Sequence, residues 1–507
     1  MGAHRPCRAA GNGALSRLRD GWRRIPRAGR ACALIALVNG IVWALLIPPY
    51  HVPDEPVHVA YTQYLAETGK LPTHDPGPEY STEQQVQLAA LDFYAVTGNR
   101  GDKPPWSSLQ QERLEDATDG KRRDDGGHKS VASNNPPLYY MAEAVAYRLT
   151  PGASLMTRLY AMRLVSALMA ALTVLFVFLF VRELLPASPW AWTVGALAVA
   201  FQPMFGFESG GVNNDNLLYL CSAALFFALA RAFRRGLTVR RGAFIGLALG
   251  AGVLTKFTMA AFAPAVGLAL LVLTWRAAPE DRRAAFRAAG VAVALGSALL
   301  LMYVAANSVV WGRPLLQDAA GVSTPSPGAG RAGGLREQLS YYWQLFLPRL
   351  PFMQDHFPHA VPLWDTWFTG FNGRFGWLDY DFGRPFYRWI GWLVYLPLLV
   401  LAGVGLYRSR AALGRRLLEL AVYALAVLGL VVAIARPSYT TFLSGAAFPF
   451  FQPRYILPLL PLFAAIVALA VRGAGRRAAP FVGTVVVMLA LMHTLFAQLL
   501  TITRYYA

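Results

Sequence analysis

Apolar blocks about as long as a bilayer is thick recur along nearly the whole chain, and short arginine-rich stretches separate them. A membrane-spanning helix needs roughly 20 apolar residues. Such blocks lie near 31–48, 159–181, 190–207, 214–233, 243–257, 259–275, 288–310, 389–407, 417–435, 455–471 and 480–500. The pattern predicts an all-α polytopic membrane protein with about eleven spans. Composition agrees: only 15% of the 507 residues are charged, against about 25% in an ordinary soluble protein.

The net charge of +19 would suit nucleic acid in a soluble chain. Here the arginines sit between apolar blocks, so they read as topology signals and no nucleic-acid partner is expected. With the basic tail (1–30) inside, the inner loops are 182–189, 234–242, 276–287, 408–416 and 472–479. The last four are arginine-rich, as the positive-inside rule asks, while the first holds only Arg182. The tail carries Arg5, Arg8, Arg17, Arg19, Arg23, Arg24, Arg27 and Arg30, and no small-x-small cleavage site precedes Pro48-Pro49-Tyr50. An uncleaved first span is expected, with a cytoplasmic N-terminus and residence in the inner (plasma) membrane. Cys7, Cys32 and Cys221 are the only cysteines, and their spacing supports neither a disulfide nor a thiolate–metal site.

Residues 243–275 could form one long helix. The arginine-rich loops on both sides should share a face, which requires an even number of crossings. A lysine at mid-membrane costs roughly 3 kcal/mol, so Lys256, between Thr255 and Phe257, marks an expected outer turn.

The expected organisation is the tail, a transmembrane core (31–310) with a first outer loop (50–155), a second outer loop (311–388) and C-terminal spans (389–507). Residues 98–130 are polar and expected to be mobile, and the stretch from Pro136 to Leu149 is expected to lie along the membrane surface. In the second outer loop a Gly/Pro/Ser stretch, Ser323 to Gly334, precedes an aromatic segment containing Tyr341, Tyr342, Trp343, Trp364, Trp367, Phe371, Phe375 and Trp377. These rings suit interface anchoring and also stacking on sugars.

Three groups of residues can carry chemistry. The first is His51-Val52-Pro53-Asp54-Glu55-Pro56-Val57-His58, just past the first span. Asp54 reads either as the N-cap of the following helix or as an outward carboxylate base; the two are not exclusive. His58 lies one helical turn after Asp54. Imidazole with carboxylate suits several divalent metals, yet the spacing matches no firm metal motif, and no cofactor is required. The second group is Gly210-Gly211-Val212-Asn213-Asn214-Asp215-Asn216, where Asn214 and Asp215 either cap a helix or face the same outer cavity as Asp54. The third is basic: Arg163, Lys256, Arg374 and Arg454. Each either snorkels to headgroups or contacts phosphate, which guanidinium groups bind bidentately.

Taken together, these features resemble the C-type (GT-C) superfamily of glycosyltransferases, polytopic enzymes that use a polyprenyl-phosphate sugar as donor. The pieces that carry the resemblance are Pro53-Asp54-Glu55, Pro136 to Tyr140, the span opening Ala161-Met162-Arg163-Leu164 and the later Asp215. Within the superfamily the chain looks most like a group of bacterial multi-pass membrane proteins. The matching pieces there are Pro53-Asp54-Glu55-Pro56 with His58, Val212-Asn213-Asn214-Asp215, Leu254-Thr255-Lys256, Phe375-Gly376-Trp377-Leu378-Asp379 and Arg454-Tyr455. Relatives often carry His or Lys before the Pro-Pro pair, in a phosphate-handling role; this chain has Asn135.

The resemblance implies an inverting transfer at the outer face. Asp54 is the general base on a hydroxyl of a glycan, lipid or protein acceptor, and Glu55 positions that acceptor or shares the proton. Arg163, Lys256 and Arg454 stabilise the departing polyprenyl phosphate, with His58, Asn214, Asp215 and Arg374 also binding substrate. The rival reading is a transporter or flippase of a lipid-linked saccharide, which would use the same cations and break no bond.

Overall fold

Uninterrupted runs of Leu, Ala, Val and Phe have no polar competitor for the backbone, so each run satisfies its own N–H and C=O groups as a helix. The computed structural model describes residues 22–23, 25–104, 107–309, 333–445 and 451–507. Most of the basic tail, including Cys7, and the Gly/Pro/Ser stretch as far as Ala332 lie outside the described residues.

Among the described residues nine helices are long and apolar enough to cross a membrane, from Arg27–Leu46 to Gly475–Tyr505. The other two expected spans are shorter. Pro189–Ala200 has 12 residues, and the chain breaks at Gln202-Pro203 before a second piece, Pro203–Ser209. Val239–Val253 has 15 residues and ends just before Lys256. Proline at 203 removes a helix donor, which explains why the block at 190–207 does not run through. The expected turn at Lys256 is present: the residue is extended (φ −157°, ψ 130°) between Val239–Val253 and the short helix Phe257–Phe262. One two-residue hairpin, Arg374–Phe375 paired antiparallel with Tyr380–Asp381, interrupts the helical fold.

Where spans touch, small residues let backbones approach. Gly242 and Gly246 lie so close to the carbonyls of Ala288 and Ala292 that a Cβ at either glycine would collide with them. This seam joins Val239–Val253 to Arg282–Val309.

The segment that follows the first span packs as a unit. Glu55–Thr68 lies against Leu138–Arg148, and Tyr50, Leu88, Phe93, Leu114, Tyr139 and Tyr140 share one apolar cluster. The described residues of the stretch 98–130, expected to be mobile, are instead folded onto it. Ser108–Thr118 is a helix with a capping box, Leu114 is buried, and the strip after it bonds back: Thr73 N–H to Gly127 O (2.7 Å) and Arg123 Nε to Glu83 Oε1 (2.9 Å). Hydrogen bonds and one ion pair order this polar stretch, and hydropathy cannot register either. The Leu138–Arg148 helix forms where expected, with Tyr139, Tyr140, Glu143 and Tyr147 buried against the protein.

The two ends of the bundle gather different loops. At one end Arg504 donates to Val96 O and Asp102 O (both 2.8 Å) and pairs with Asp379 (2.9 Å), tying the last helix to both long loop segments. At the other, Glu183 pairs with Arg234 (2.9 Å) and Arg235 (3.0 Å), and Arg416 donates to Leu184 O (3.1 Å).

Candidate active site

Asp54 occupies the N-cap position of Glu55–Thr68, yet its side chain makes no capping bond. Its backbone is left-handed (φ 64°), a conformation that costs a non-glycine residue roughly 1–2 kcal/mol. The carboxylate pairs with Arg454 Nη2, while Arg454 Nη1 donates to Pro53 O at 3.1 Å. The capping reading of Asp54 therefore fails for the side chain. Gly69 closes the same helix, with φ 70° and its N–H on Leu65 O.

Arg454 opens the short helix Pro453–Leu459 and is oversubscribed. Besides Asp54 it faces Asp215 (3.4 Å) and Glu208 (3.8 Å). Asp215 begins the helix Asp215–Arg235 and also binds Lys256 Nζ at 2.7 Å. Three carboxylates thus converge on two cations. Asp54 and Lys256 reach the surface, with side chains 25% and 22% exposed, whereas Arg454 (3%) and Glu208 (0%) lie behind them. Several polar atoms here have no hydrogen-bond partner among the described residues: Glu208 Oε1, Asn214 Oδ1, Asp215 Oδ2, Asn216 Oδ1 and Arg454 Nε. Such a concentration of unmatched groups is unusual in a buried region.

Charge sets the protonation states. Burial pushes the Asp54 carboxyl up, but Arg454, by charge and hydrogen bond, and Lys256 outweigh it, so Asp54 lies below the usual carboxylate range. Glu208 is pushed up to about 8, first by burial, with Arg454 opposing and Asp215 and Asp54 reinforcing. The cluster holds Glu208 as the neutral acid, leaving two carboxylates against two cations.

Glu55 and Arg163 do not join this cluster. They face each other fully buried, through Nε to Oε1 (2.8 Å) and Nη2 to Oε2 (2.6 Å). The other three donors of Arg163 go to the carbonyls of Ala44, Ile47 and Pro48, and Glu55 Oε1 also accepts from Val212 N–H (2.9 Å). All five guanidinium donors are spent. The phosphate role expected of Arg163 has no donor left to perform it, and Glu55 is closed to an acceptor. The pair pins the end of the first span to the Val212 loop. Gly211 makes that approach possible, because a Cβ there would collide with Val52.

His58 is buried and turned to the Tyr140 hydroxyl (2.8 Å), and burial lowers it to about 3, so it stays neutral. Asn135 donates to the same hydroxyl at 3.3 Å. Asn214 Nδ2 donates to Thr255 O (3.3 Å) and Leu138 N–H to Leu254 O (3.1 Å), holding the Lys256 turn beside the Asn135-Pro136-Pro137 segment. Arg374 Nε donates to Leu378 O within its own hairpin (3.2 Å). No three His, Cys, Asp or Glu side chains are grouped to hold a metal among the described residues. A cation there would compete with Arg454 and Lys256 for the same oxygens.

Sequence reasoning missed Glu208. A lone carboxylate at the end of an apolar block reads as a span boundary, and its only signal was the adjoining Ser209-Gly210-Gly211.

The fold and this cluster define a multi-pass membrane protein with an ionic site formed where the segment after the first span meets the ends of several spans. Residues 37–463 match the model of a family described as "Predicted membrane protein (DUF2142)", and the chain belongs to that family. A search of curated proteins gives no match. Among solved structures, the chain is similar to ArnT from Cupriavidus metallidurans bound to undecaprenyl phosphate, with 13% identity, a TM-score of 0.42, and coverage of 86% of this chain and 59% of that one. The same enzyme in the apo state gives 15%, 0.40, 86% and 59%. The Archaeoglobus fulgidus oligosaccharyltransferase in the apo form gives 11%, 0.41, 94% and 56%. The chain spans less than two thirds of each of these structures, and likeness at this level assigns no residue or substrate to it.

Proposed function

We propose that this protein transfers a sugar from a polyprenyl-phosphate donor to an acceptor hydroxyl, with inversion, at the extracytoplasmic face of the inner (plasma) membrane. One observation carries the reading. Asp54 is held in a strained backbone conformation, makes no cap, and presents a partly exposed carboxylate to an arginine that other acids also claim. Strain of this kind tends to be stored at functional sites.

The chemistry follows from the oversubscription. In the free site Arg454 masks Asp54 and weakens it as a base. A lipid phosphate enters beside Lys256, the exposed cation, and competes for Arg454. As Arg454 turns toward phosphate oxygens, Asp54 loses its counter-charge and its basicity rises. It then accepts the acceptor's O–H proton while that oxygen attacks the anomeric carbon. The bond from that carbon to phosphate oxygen breaks, and its electron pair leaves with the polyprenyl phosphate, stabilised by Arg454 and Lys256. Neutral Glu208 keeps Arg454 from being held too tightly to move. The position of the Lys256 turn beside Asn135 supports Lys256 as the cation that replaces the His or Lys found there in the superfamily.

The deciding experiment incubates purified protein with a labelled polyprenyl-phosphate sugar and a panel of hydroxyl acceptors, read by mass spectrometry. Release of free polyprenyl phosphate together with a glycosylated acceptor is expected. Movement of intact donor across a vesicle membrane without release would establish the transporter reading instead.

A further inference from the structure

The helix that begins with Asp215 has 21 residues and ends at Arg235. At 1.5 Å per residue its ends stand about 30 Å apart, the thickness of a hydrocarbon core. At the far end lies a cavity of about 390 Å³ lined by Arg231, Arg240, Arg241, Thr238 and the rings of Phe227 and Phe244. It lies on the opposite side of the bundle from the Asp54–Arg454 cluster and shares no residue with it.

We propose that this cavity binds the net-anionic phosphodiester headgroup of a membrane phospholipid. None of the three arginines lining the cavity is neutralised by an ion pair of its own among the described residues. Glu183, the carboxylate nearby, is divided between Arg234 and Arg235, and Arg231, Arg240 and Arg241 form no ion pair among the described residues. The guanidinium groups repel one another, with Glu183 offsetting the repulsion on Arg231 only in part, and an anion placed among them relieves what is left. The cavity also adjoins the start of Val239–Val253, whose N-cap is Thr238, and a helix start favours negative charge.

The apolar part of the lining selects the source of the phosphate. Phe227 and Phe244 give the cavity rings that a free phosphate would not need and that suit the glycerol and upper acyl carbons of a lipid. Arg231 lies over the Phe227 ring, 5.6 Å from its centroid, joining the charged and apolar parts of the site. Arg241 is committed in part, donating to the Arg235 and Gly236 carbonyls (both 2.6 Å), so it is a fixed charge. Arg231 and Arg240 are the adjustable ones.

The test uses delipidated full-length protein, native mass spectrometry, and three probes: phosphatidylglycerol, phosphatidylcholine and inorganic phosphate. Wild type should retain phosphatidylglycerol at least about tenfold more strongly than phosphatidylcholine, and inorganic phosphate should not displace it. Arg231→Gln and Arg240→Gln should each weaken retention by about tenfold, as expected for loss of one charge-assisted contact. Equal retention of the two lipids, or retention unchanged in both variants, overturns the proposal. Displacement by inorganic phosphate overturns its lipid part. Arg240 is exposed, so Arg240→Gln decides the matter even if Arg231→Gln folds poorly.

Discussion

Asp54 and Glu55 are neighbours in one short motif, and the structure gives them opposite surroundings. Glu55 meets Arg163 in a closed pair: both side chains are fully buried, and every guanidinium donor is matched to an oxygen. Asp54 meets Arg454 in an open one, with the acid partly exposed, the base shared among three acids, and unmatched polar atoms around it. A saturated pair has nothing left with which to bind a substrate; it holds two segments in register. An oversubscribed pair can exchange partners, which catalysis requires. Counting donors against acceptors separates an anchor from a reactive group where residue type and spacing cannot.

The largest effect should come from breaking the closed pair. Glu55→Gln leaves the Arg163 cation buried and uncompensated, a change that costs about 3–5 kcal/mol. Thermal unfolding in detergent should fall steeply, and Arg163→Met should do the same. The double variant Glu55→Leu/Arg163→Met removes both charges and should recover part of the loss. If Glu55→Gln unfolds at the wild-type temperature and only transfer is impaired, the anchor reading is wrong and Glu55 belongs with the substrate.

Asp54→Asn should reverse that pattern. Asparagine tolerates the left-handed backbone and can keep a hydrogen bond to Arg454, but it cannot take a proton. Transfer should drop by at least about 10²-fold, the lower end of general-base contributions, with far less change in unfolding than Glu55→Gln causes. Wild-type transfer by Asp54→Asn would leave the open cluster without a base.

Much of this was legible in the sequence. Arginine punctuation located the blocks, and Lys256 marked the break before Phe257–Phe262 because a mid-membrane lysine is costly. Asp54, Asp215, Lys256 and Arg454 lie far apart in the chain, yet each stands at a block end, so they were expected at one outer surface and the fold brings them together. Partnership was not legible. Arg163 and Arg454 look alike as arginines near span starts, but only three-dimensional packing aims Arg163 at the carbonyls of Ala44, Ile47 and Pro48. The order in residues 98–130 was hidden for a similar reason, since hydrogen bonds leave no trace in hydropathy.

A smaller effect concerns Lys256, the exposed cation of the open cluster. Lys256→Gln removes one charge-assisted contact, worth roughly 1.5–3 kcal/mol. Titrating the lipid donor should show its apparent KM raised by about one decade or more, with acceptor KM nearly unchanged. Arg163 gives the contrast, because a folded Arg163 variant should bind donor normally. Unchanged donor kinetics in Lys256→Gln would place the phosphate elsewhere.

The smallest effect tests why the open cluster stays open. Glu208 sits at about 8 because burial and the neighbouring Asp215 and Asp54 disfavour its charge. A carboxyl raised in the folded state binds its proton more tightly there than in the unfolded chain. Its contribution to stability is therefore full below the unfolded value near 4.5 and is lost as pH rises through about 8. Asp54 shifts the other way and stays ionised across that window, so it does not mask the effect. Glu208→Gln mimics the neutral acid at every pH. The variant and wild type should unfold at similar temperatures near pH 5, and the variant should be the more stable one near pH 9. In an Asp54→Asn background one repelling carboxylate is gone, so the divergence, which still begins near the unfolded value, should level off at higher pH only if Arg454 swings closer to Asp215, and at lower pH if Arg454 turns to Glu208. The direction of that shift reports which acid takes Arg454 when Asp54 lets go. Parallel unfolding of wild type and Glu208→Gln across the whole range would mean that Glu208 is charged throughout, and that Arg454 is held by three carboxylates instead of two.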